Sequence, residues 1–147
     1  MEPVRFFGAA HPFSNFYPCT VATATGTATT SEAAFQAAKF ATTDPAYAAQ
    51  VLAAPTGRDA KRLGGSRKHP IDPAWPERRV DAMRAVLRAK FNPQVNPELV
   101  AALRATGTQP LVEASPYDSF WGCGRTGKGA NMLGRLLEEL RAQTEND

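Results

Sequence analysis

One long amphipathic segment constrains this chain more than any other feature. Val80, Met83, Val86, Leu87 and Phe91 recur at helical spacing, which predicts a helix over residues 76–91 with one apolar face. Helix signals surround it. Asp44-Pro45 places an N-cap and a first-turn proline before a helix over 45–54. Thr56-Gly57-Arg58-Asp59 opens another, ended by Gly64-Gly65. Asn96-Pro97-Glu98 starts one that stops near Gly107, and residues 130–142 read as the last. The strand candidates are short: 4–8, 19–24 with a continuation over 27–30 after a turn at Gly26, and 111–114. Residues 68–73 read as a loop because of two prolines and Asp72. The expected fold class is therefore α+β, mainly helical, with a small β-sheet. A single domain spans residues 1–147, with its core over about 4–142 and a frayed tail over 143–147.

The 147 residues suffice for one real core, and 43% hydrophobic with 21% charged residues is ordinary for a globular protein. No apolar run approaches the roughly 20 residues of a spanning helix. The N-terminus lacks the basic start and apolar core of a signal peptide, so a cytoplasmic location is expected, with no membrane partner. Cys19, Cys123, His11 and His69 form no close ligand pair, which argues against a structural zinc or a disulfide scaffold; no metal or cofactor is expected. The net charge of +3 is unevenly placed. Residues 57–90 carry +6 and the remainder −3, a pattern that suits an anionic partner such as a phosphate or a nucleic-acid backbone. Arginines on a solvated helix face would give the same count.

The stretch from Ser31 to Phe40 carries the strongest chemical signal. In a helix over residues 31–41, Glu32, Gln36 and Lys39 fall within a narrow arc flanked by Phe35 and Phe40. An acid, an amide and an amine then share a face turned toward the core, where charges are costly unless paired or used. A simpler reading stands beside it. Thr29 at the N-cap and Glu32 at the third helical position would form a capping box, and Lys39 would extend its amine to water.

Gly122-Cys123-Gly124-Arg125-Thr126-Gly127-Lys128-Gly129 nearly matches a P-loop, but Gly129 stands where a magnesium-binding hydroxyl belongs, and a parallel βαβ sheet is missing. A nucleoside triphosphatase, with magnesium-dependent phosphate release, is therefore not expected. The glycine-rich turn before a helix still offers backbone N–H groups, with Arg125 and Lys128 beside them, as a resting place for a phosphate.

Several separated motifs occur in order: Phe7-Gly8, Phe13-Ser14-Asn15-Phe16-Tyr17, the Ser31–Phe40 stretch, Leu63-Gly64, Trp75, Lys90-Phe91, Val112-Glu113-Ala114-Ser115, Asp118, Trp121-Gly122-Cys123-Gly124 and Gly129-Ala130-Asn131-Met132-Leu133-Gly134. In this order and spacing the chain resembles the NADAR (YbiA-like) family, over nearly its whole length. The resemblance implies a mainly helical fold with a small sheet, and cleavage of N-glycosidic bonds. Two substrate classes go with it. One is ADP-ribose attached to guanine bases, in DNA or nucleotides, whose removal reverses the work of a DNA ADP-ribosyltransferase toxin, as an antitoxin or repair enzyme does. The other is the ribosylamino-pyrimidine phosphates of riboflavin biosynthesis. The family's helix glutamate corresponds to Glu32, its helix lysine to Lys39, its tryptophan before the long helix to Trp75 and its acid after V-E-A-S to Asp118. The aromatic or histidine usual after the helix glutamate is Ala33 here, which would enlarge or loosen the pocket.

The residues fit that chemistry. A neutral lysine amine can attack a sugar C1 and form a Schiff base that water resolves, and an apolar setting lowers a lysine pKa in the required direction. Glu32 or Asp118 would serve as general acid or base. Alternatively, a carboxylate directs water onto an oxocarbenium-like centre and Lys39 only holds an anion. Trp75 and Trp121 are stacking candidates for a purine-like ring, with Phe16 and Tyr17 behind them. Asn15 and Asn131 are candidates to read base edges or sugar hydroxyls, and Gly122 and Gly124 to let backbone approach the substrate. Arg58, Arg62 and Arg67 are weaker phosphate candidates. From another functional class, the same surface would suit a non-catalytic ADP-ribose-binding module.

Overall fold

Helix α4 (Trp75–Lys90) buries Trp75, Met83, Val86, Leu87 and Lys90 along one face. That face packs on α1 (Ser31–Ala38), α6 (Met132–Thr144) and the strand β2 (Val21–Thr23). The structure is a computed structural model that describes residues 1–144. The other elements are β1 (Val4–Phe6), β3 (Gly26–Ala28), α2 (Pro45–Leu52), α3 (Gly57–Gly64), α5 (Pro97–Ala105) and β4 (Leu111–Glu113). Phe6, Phe13, Val21, Met83, Leu87, Leu103, Leu111 and Leu137 fill the main core. A smaller cluster of Phe40, Tyr47, Ala48 and Val51 seals α1 against α2.

Side-chain caps fix where the helices start. The Asp44 carboxylate accepts from Tyr47 N at 3.1 Å and the Thr56 hydroxyl from Asp59 N at 3.1 Å, so α2 and α3 begin where the sequence places them. In α1 the cap is Thr30, not Thr29; its hydroxyl accepts from Ala33 N at 3.1 Å. Glu32 therefore sits at the second helical position, and its N–H donates to Asn15 O at 2.9 Å. The capping box does not form, and the Glu32 carboxylate is left for other use. Helix α1 also ends earlier than its apolar pattern suggests, with Lys39 as C-cap. Helix α6 starts at Met132 and runs through Gln143 and Thr144, which are helical rather than frayed. Arg104 donates to the Thr144 carbonyl, and Arg141 donates to Gln109 O, tying that last turn down. The remainder of the expected tail, residues 145–147, lies outside the described residues.

The β structure is two separate ribbons instead of one small sheet. Strands β2 and β3 pair antiparallel across a turn at Ala24-Thr25, and Gly26, opposite Thr23, has a φ of +137° that only glycine adopts readily. Strands β1 and β4 pair parallel, with Phe6 opposite Glu113. Both strands are shorter than expected, because Gly8 turns the chain after Phe7 with φ +92°. The free edge of β4 is satisfied by other groups: Asn131 Oδ1 accepts from Glu113 N and its Nδ2 donates to Leu111 O, both at 2.9 Å, while Leu111 N donates to Glu138. These contacts hold the end of β4, and with it Glu113, in place.

Lys90 is fully buried, and its ammonium donates to Ser14 O at 2.9 Å. Burial lowers its pKa from 10.5 to about 8. For a base with a depressed folded-state value, the unfolded chain binds more protons between those limits, so stability gained from this group rises with pH through the window. Lys90→Met removes the dependence. The stability difference between this variant and the parent is expected to shift by about 2 kcal/mol in the parent's favour from pH 7 to pH 10, read by urea unfolding. A difference independent of pH would contradict this reading.

Candidate active site

The parallel ribbon, α1, α3 and the start of α4 enclose a cavity of about 950 Å³. Parallel strands deliver the segments after them to one end, and here β1 brings Phe7 and Gly8 while β4 brings Glu113, Ser115 and Asp118. Helix α1 contributes Glu32, Phe35, Gln36 and Lys39, one face at helical spacing. The bend before α1 adds Ser14, Asn15 and Phe16, and α4 adds Trp75, Arg79 and Met83.

Glu32 is 8% exposed, and its Oε1 accepts from Gln36 Nε2 at 2.8 Å. Burial pushes its carboxyl above the ordinary range. The Gln36 hydrogen bond and the charges of Lys61 and Lys39 pull it back, and Asp118 pushes it further up. Lys39 is half-buried and lines the cavity; its Nζ donates to Gly64 O at 3.1 Å, a carbonyl at the end of α3. Burial lowers its pKa, opposed by Glu32. A neutral amine in this position can donate one N–H to Gly64 and keep its lone pair for an electrophile. Glu32 and Lys39 are seven residues apart on one helix, about 10 Å along its axis, which leaves room for a sugar between them.

Asp118 also lines the cavity. Its Oδ1 accepts from Phe120 N at 2.9 Å and from Trp121 N at 2.8 Å, which fixes the carboxylate on a tight turn. Glu113 is a third carboxyl in the cavity, and sequence reasoning passed over it. Its Oε2 accepts from Ser115 N, and burial raises its pKa with help from Asp118. Its signals in the sequence are an acid on a short apolar strand and its place in the Val112-Glu113-Ala114-Ser115 motif. One wall is aromatic: Phe35 lies 5.2 Å from Trp75 and 5.4 Å from Trp121, centroid to centroid. Four cations also line the cavity, Arg58, Lys61 and Arg62 from α3 and Arg79 from α4, with the Arg79 guanidinium 3.7 Å from the Phe120 ring centroid. Arg67 does not reach the cavity. Asn15 Oδ1 and Gln36 Oε1 are buried acceptors with no hydrogen-bond partner.

The remaining candidates stand outside the cavity. Tyr17 packs against the main core. Gly122 packs behind Glu113, where any Cβ would collide with that carboxylate and with the Asp118 carbonyl. Gly124, at φ +68°, packs against Ser119. Asn131 spends its side chain on the edge of β4. The glycine-rich turn offers few donors, because the N–H groups of Cys123, Gly124, Gly127 and Gly129 donate to carbonyls of Glu113, Ser115, Gly124 and Cys123. Those of Ala130, Asn131, Met132 and Leu133, at the start of α6, are likewise taken. Arg125 and Lys128 are exposed and do not line the cavity. The phosphate resting place expected on that turn is therefore not built.

Gly64 has no room for a side chain, since a Cβ would strike the Gln36 carboxamide. Gly64→Ala is expected to push Gln36 from Glu32 and to shift the carbonyl that holds Lys39. It should cost about 1–3 kcal/mol of stability and lower kcat up to about 100-fold, measured by thermal melts and steady-state turnover. Unchanged kcat would show that this contact does not position the pair.

The chain as a whole is similar to known proteins. Residues 5–145 match the NADAR domain. The chain is 40% identical over 131 residues to the N-glycosidase YbiA of Escherichia coli strain K12, covering 89% of this chain and 79% of that protein. It is 37% identical over 148 residues to a riboflavin biosynthesis protein of Vibrio vulnificus, of which it covers 39%. The NMR structure of the E. coli protein YbiA superposes with a TM-score of 0.85 at 37% identity, over 98% of this chain and 85% of that one. On a match that runs through nearly all of its residues, with an N-glycosidase among its relatives, the chain belongs to the NADAR family.

Proposed function

We propose that this protein hydrolyses the N-glycosidic bond between ADP-ribose and guanine bases, in DNA or in guanosine nucleotides. The reading rests on one observation: a half-buried amine and three carboxyls share a cavity that four cations also line. The diphosphate of ADP-ribose suits Arg58, Lys61, Arg62 and Arg79, and the base suits the aromatic wall of Trp75, Phe35 and Trp121. Asn15 and Gln36 also line the cavity, where side-chain amides suit ring N–H groups or sugar hydroxyls. The relatives support glycosidic cleavage, and such an enzyme would undo the product of a DNA ADP-ribosyltransferase.

The proposed steps use only this chain's residues. The ribose ring opens at the bond between C1 and the ring oxygen as the exocyclic nitrogen's lone pair forms C1=N, and the Lys39 Nζ adds to C1, giving up one proton to the ring oxygen. The bond from C1 to the guanine exocyclic nitrogen then breaks, and that nitrogen takes a proton from Glu32 as the lysine imine forms. Water adds to C1; its first proton passes to Nζ as the bond to Nζ breaks, its second returns to Glu32, and the sugar leaves as an aldehyde that recloses. Asp118 or Glu113 relays the first proton from water to Nζ.

A second reading is the same cleavage on a ribosylamino-pyrimidine phosphate, favoured by the riboflavin-biosynthesis relative. The two are ranked by incubating the protein with ADP-ribosylated single-stranded DNA and, separately, with the pyrimidine phosphate. Faster sugar release from the DNA is the expected result. Faster release from the pyrimidine would reverse the order, and tight ADP-ribose binding without release from either would favour a binding module.

A further inference from the structure

Five large hydrophobic side chains are exposed among the described residues, and three of them, Phe7, Ile71 and Tyr117, line this one cavity. Apolar surface gathered at a single mouth marks a contact site better than the same residues scattered. Phe7 is 55% exposed and Tyr117 is 83% exposed, and their rings lie 6.4 Å apart, centroid to centroid, tilted by 51°. Neither ring joins the aromatic wall deeper in the cavity. Both are held by rigid backbone. Phe7 follows β1, whose last carbonyl accepts from Ala114 N at 2.8 Å, and Tyr117 N donates to Ser115 Oγ at 3.2 Å just before the Asp118 turn. The parallel pairing of β1 with β4 brings the two to the same edge.

We propose that Phe7 and Tyr117 form a stacking clamp for a nucleobase adjacent to the modified one in a single strand, with its phosphates on the α3 cations. The proposal rests on the DNA reading above and extends it to how a polymer is gripped. The occupant follows from the combination of surfaces. Two exposed rings that line the same cavity as Arg58, Lys61, Arg62 and Arg79 pair a stacking platform with cationic groups, the combination used for single-stranded nucleic acid. Stacking is tolerant of base identity, so the clamp favours length of strand rather than sequence.

The test compares kcat/KM for ADP-ribosylated guanosine with that for the same modified base inside a single-stranded octadeoxynucleotide. In the double variant Phe7→Ala, Tyr117→Ala, the ratio of oligonucleotide to nucleoside efficiency is expected to fall roughly tenfold or more. Phe7→Trp, Tyr117→Trp should restore it. A ratio that stays at the parent value, or two substrates that fall alike, would overturn the clamp. If the parent cleaves neither substrate, the DNA reading fails by itself. The clamp is then read from fluorescence anisotropy of an unmodified octadeoxynucleotide. Roughly tenfold weaker binding by the double variant supports it, and equal affinity or no binding overturns it.

Discussion

Replacing Lys39 with alanine is expected to lower kcat/KM for glycosidic cleavage by at least about 1,000-fold, the scale seen when a nucleophile is lost. The amine lines the same cavity as Glu32, Glu113 and Asp118, and burial favours its neutral form. The alternative role, holding an anion while a carboxylate directs water, needs only positive charge. Lys39→Arg separates the two. Arginine keeps the charge and a donor for Gly64 O, but its guanidinium stays protonated and cannot form an imine. The arginine variant should be as inactive as the alanine variant. Recovery of more than about a tenth of parent activity would assign Lys39 the electrostatic role instead. Thermal melts provide the control for folding, and both variants should remain close to the parent because Lys39 is only half-buried.

Glu32→Gln is the second large effect, with an expected loss of about 1,000-fold in kcat, within the range for a general acid. Glutamine keeps the shape and a partner for Gln36 but cannot supply the proton to the leaving base. The pH profile carries the sign. Burial raises the Glu32 pKa, so its acid form persists to higher pH and activity falls as pH rises through that value. Burial lowers the Lys39 pKa, so its free amine appears as pH rises. A bell-shaped kcat/KM profile is expected for the parent. Glu113→Gln should cost only about tenfold, with the bell retained; a larger loss there than at Glu32 would move the proton donor to β4. Glu32 also bears on stability. Its folded-state value exceeds the unfolded one, so the stability it contributes is present below the ordinary carboxyl range and is lost as pH rises through the raised value. Glu32→Gln should therefore unfold at a higher temperature than the parent at neutral pH, while losing turnover.

Helical periodicity is local, and so the shared face of Glu32, Gln36 and Lys39 is legible in the amino-acid order alone. Its start is not. Thr29 and Thr30 are equivalent as caps in sequence, and the Glu32 N–H to Asn15 carbonyl bond comes from outside the helix. The same limit hides Glu113. A three-residue strand says little, and only its pairing with β1, more than a hundred residues away in sequence, turns that carboxyl toward Lys39's cavity. The glycine-rich turn misleads for a related reason. Its N–H groups are free on paper, but the carbonyls that occupy them come from Glu113, Ser115 and the turn itself. Asn131 looks like a reader of polar groups and is one, but the groups belong to β4. Lys90 counts in the sequence as one more surface base, although it shares a helix face with Leu87 and Val86; that spacing is the available sign of its burial.

The most direct measurement traps the intermediate. Borohydride is added during turnover of ADP-ribosylated guanine, and the protein is digested and read by mass spectrometry. The expected result is one reduced sugar adduct on Lys39, absent from Lys39→Ala and Lys39→Arg. Full turnover with no adduct, or an adduct on Lys61 or Lys90 that survives in Lys39→Ala, would contradict it.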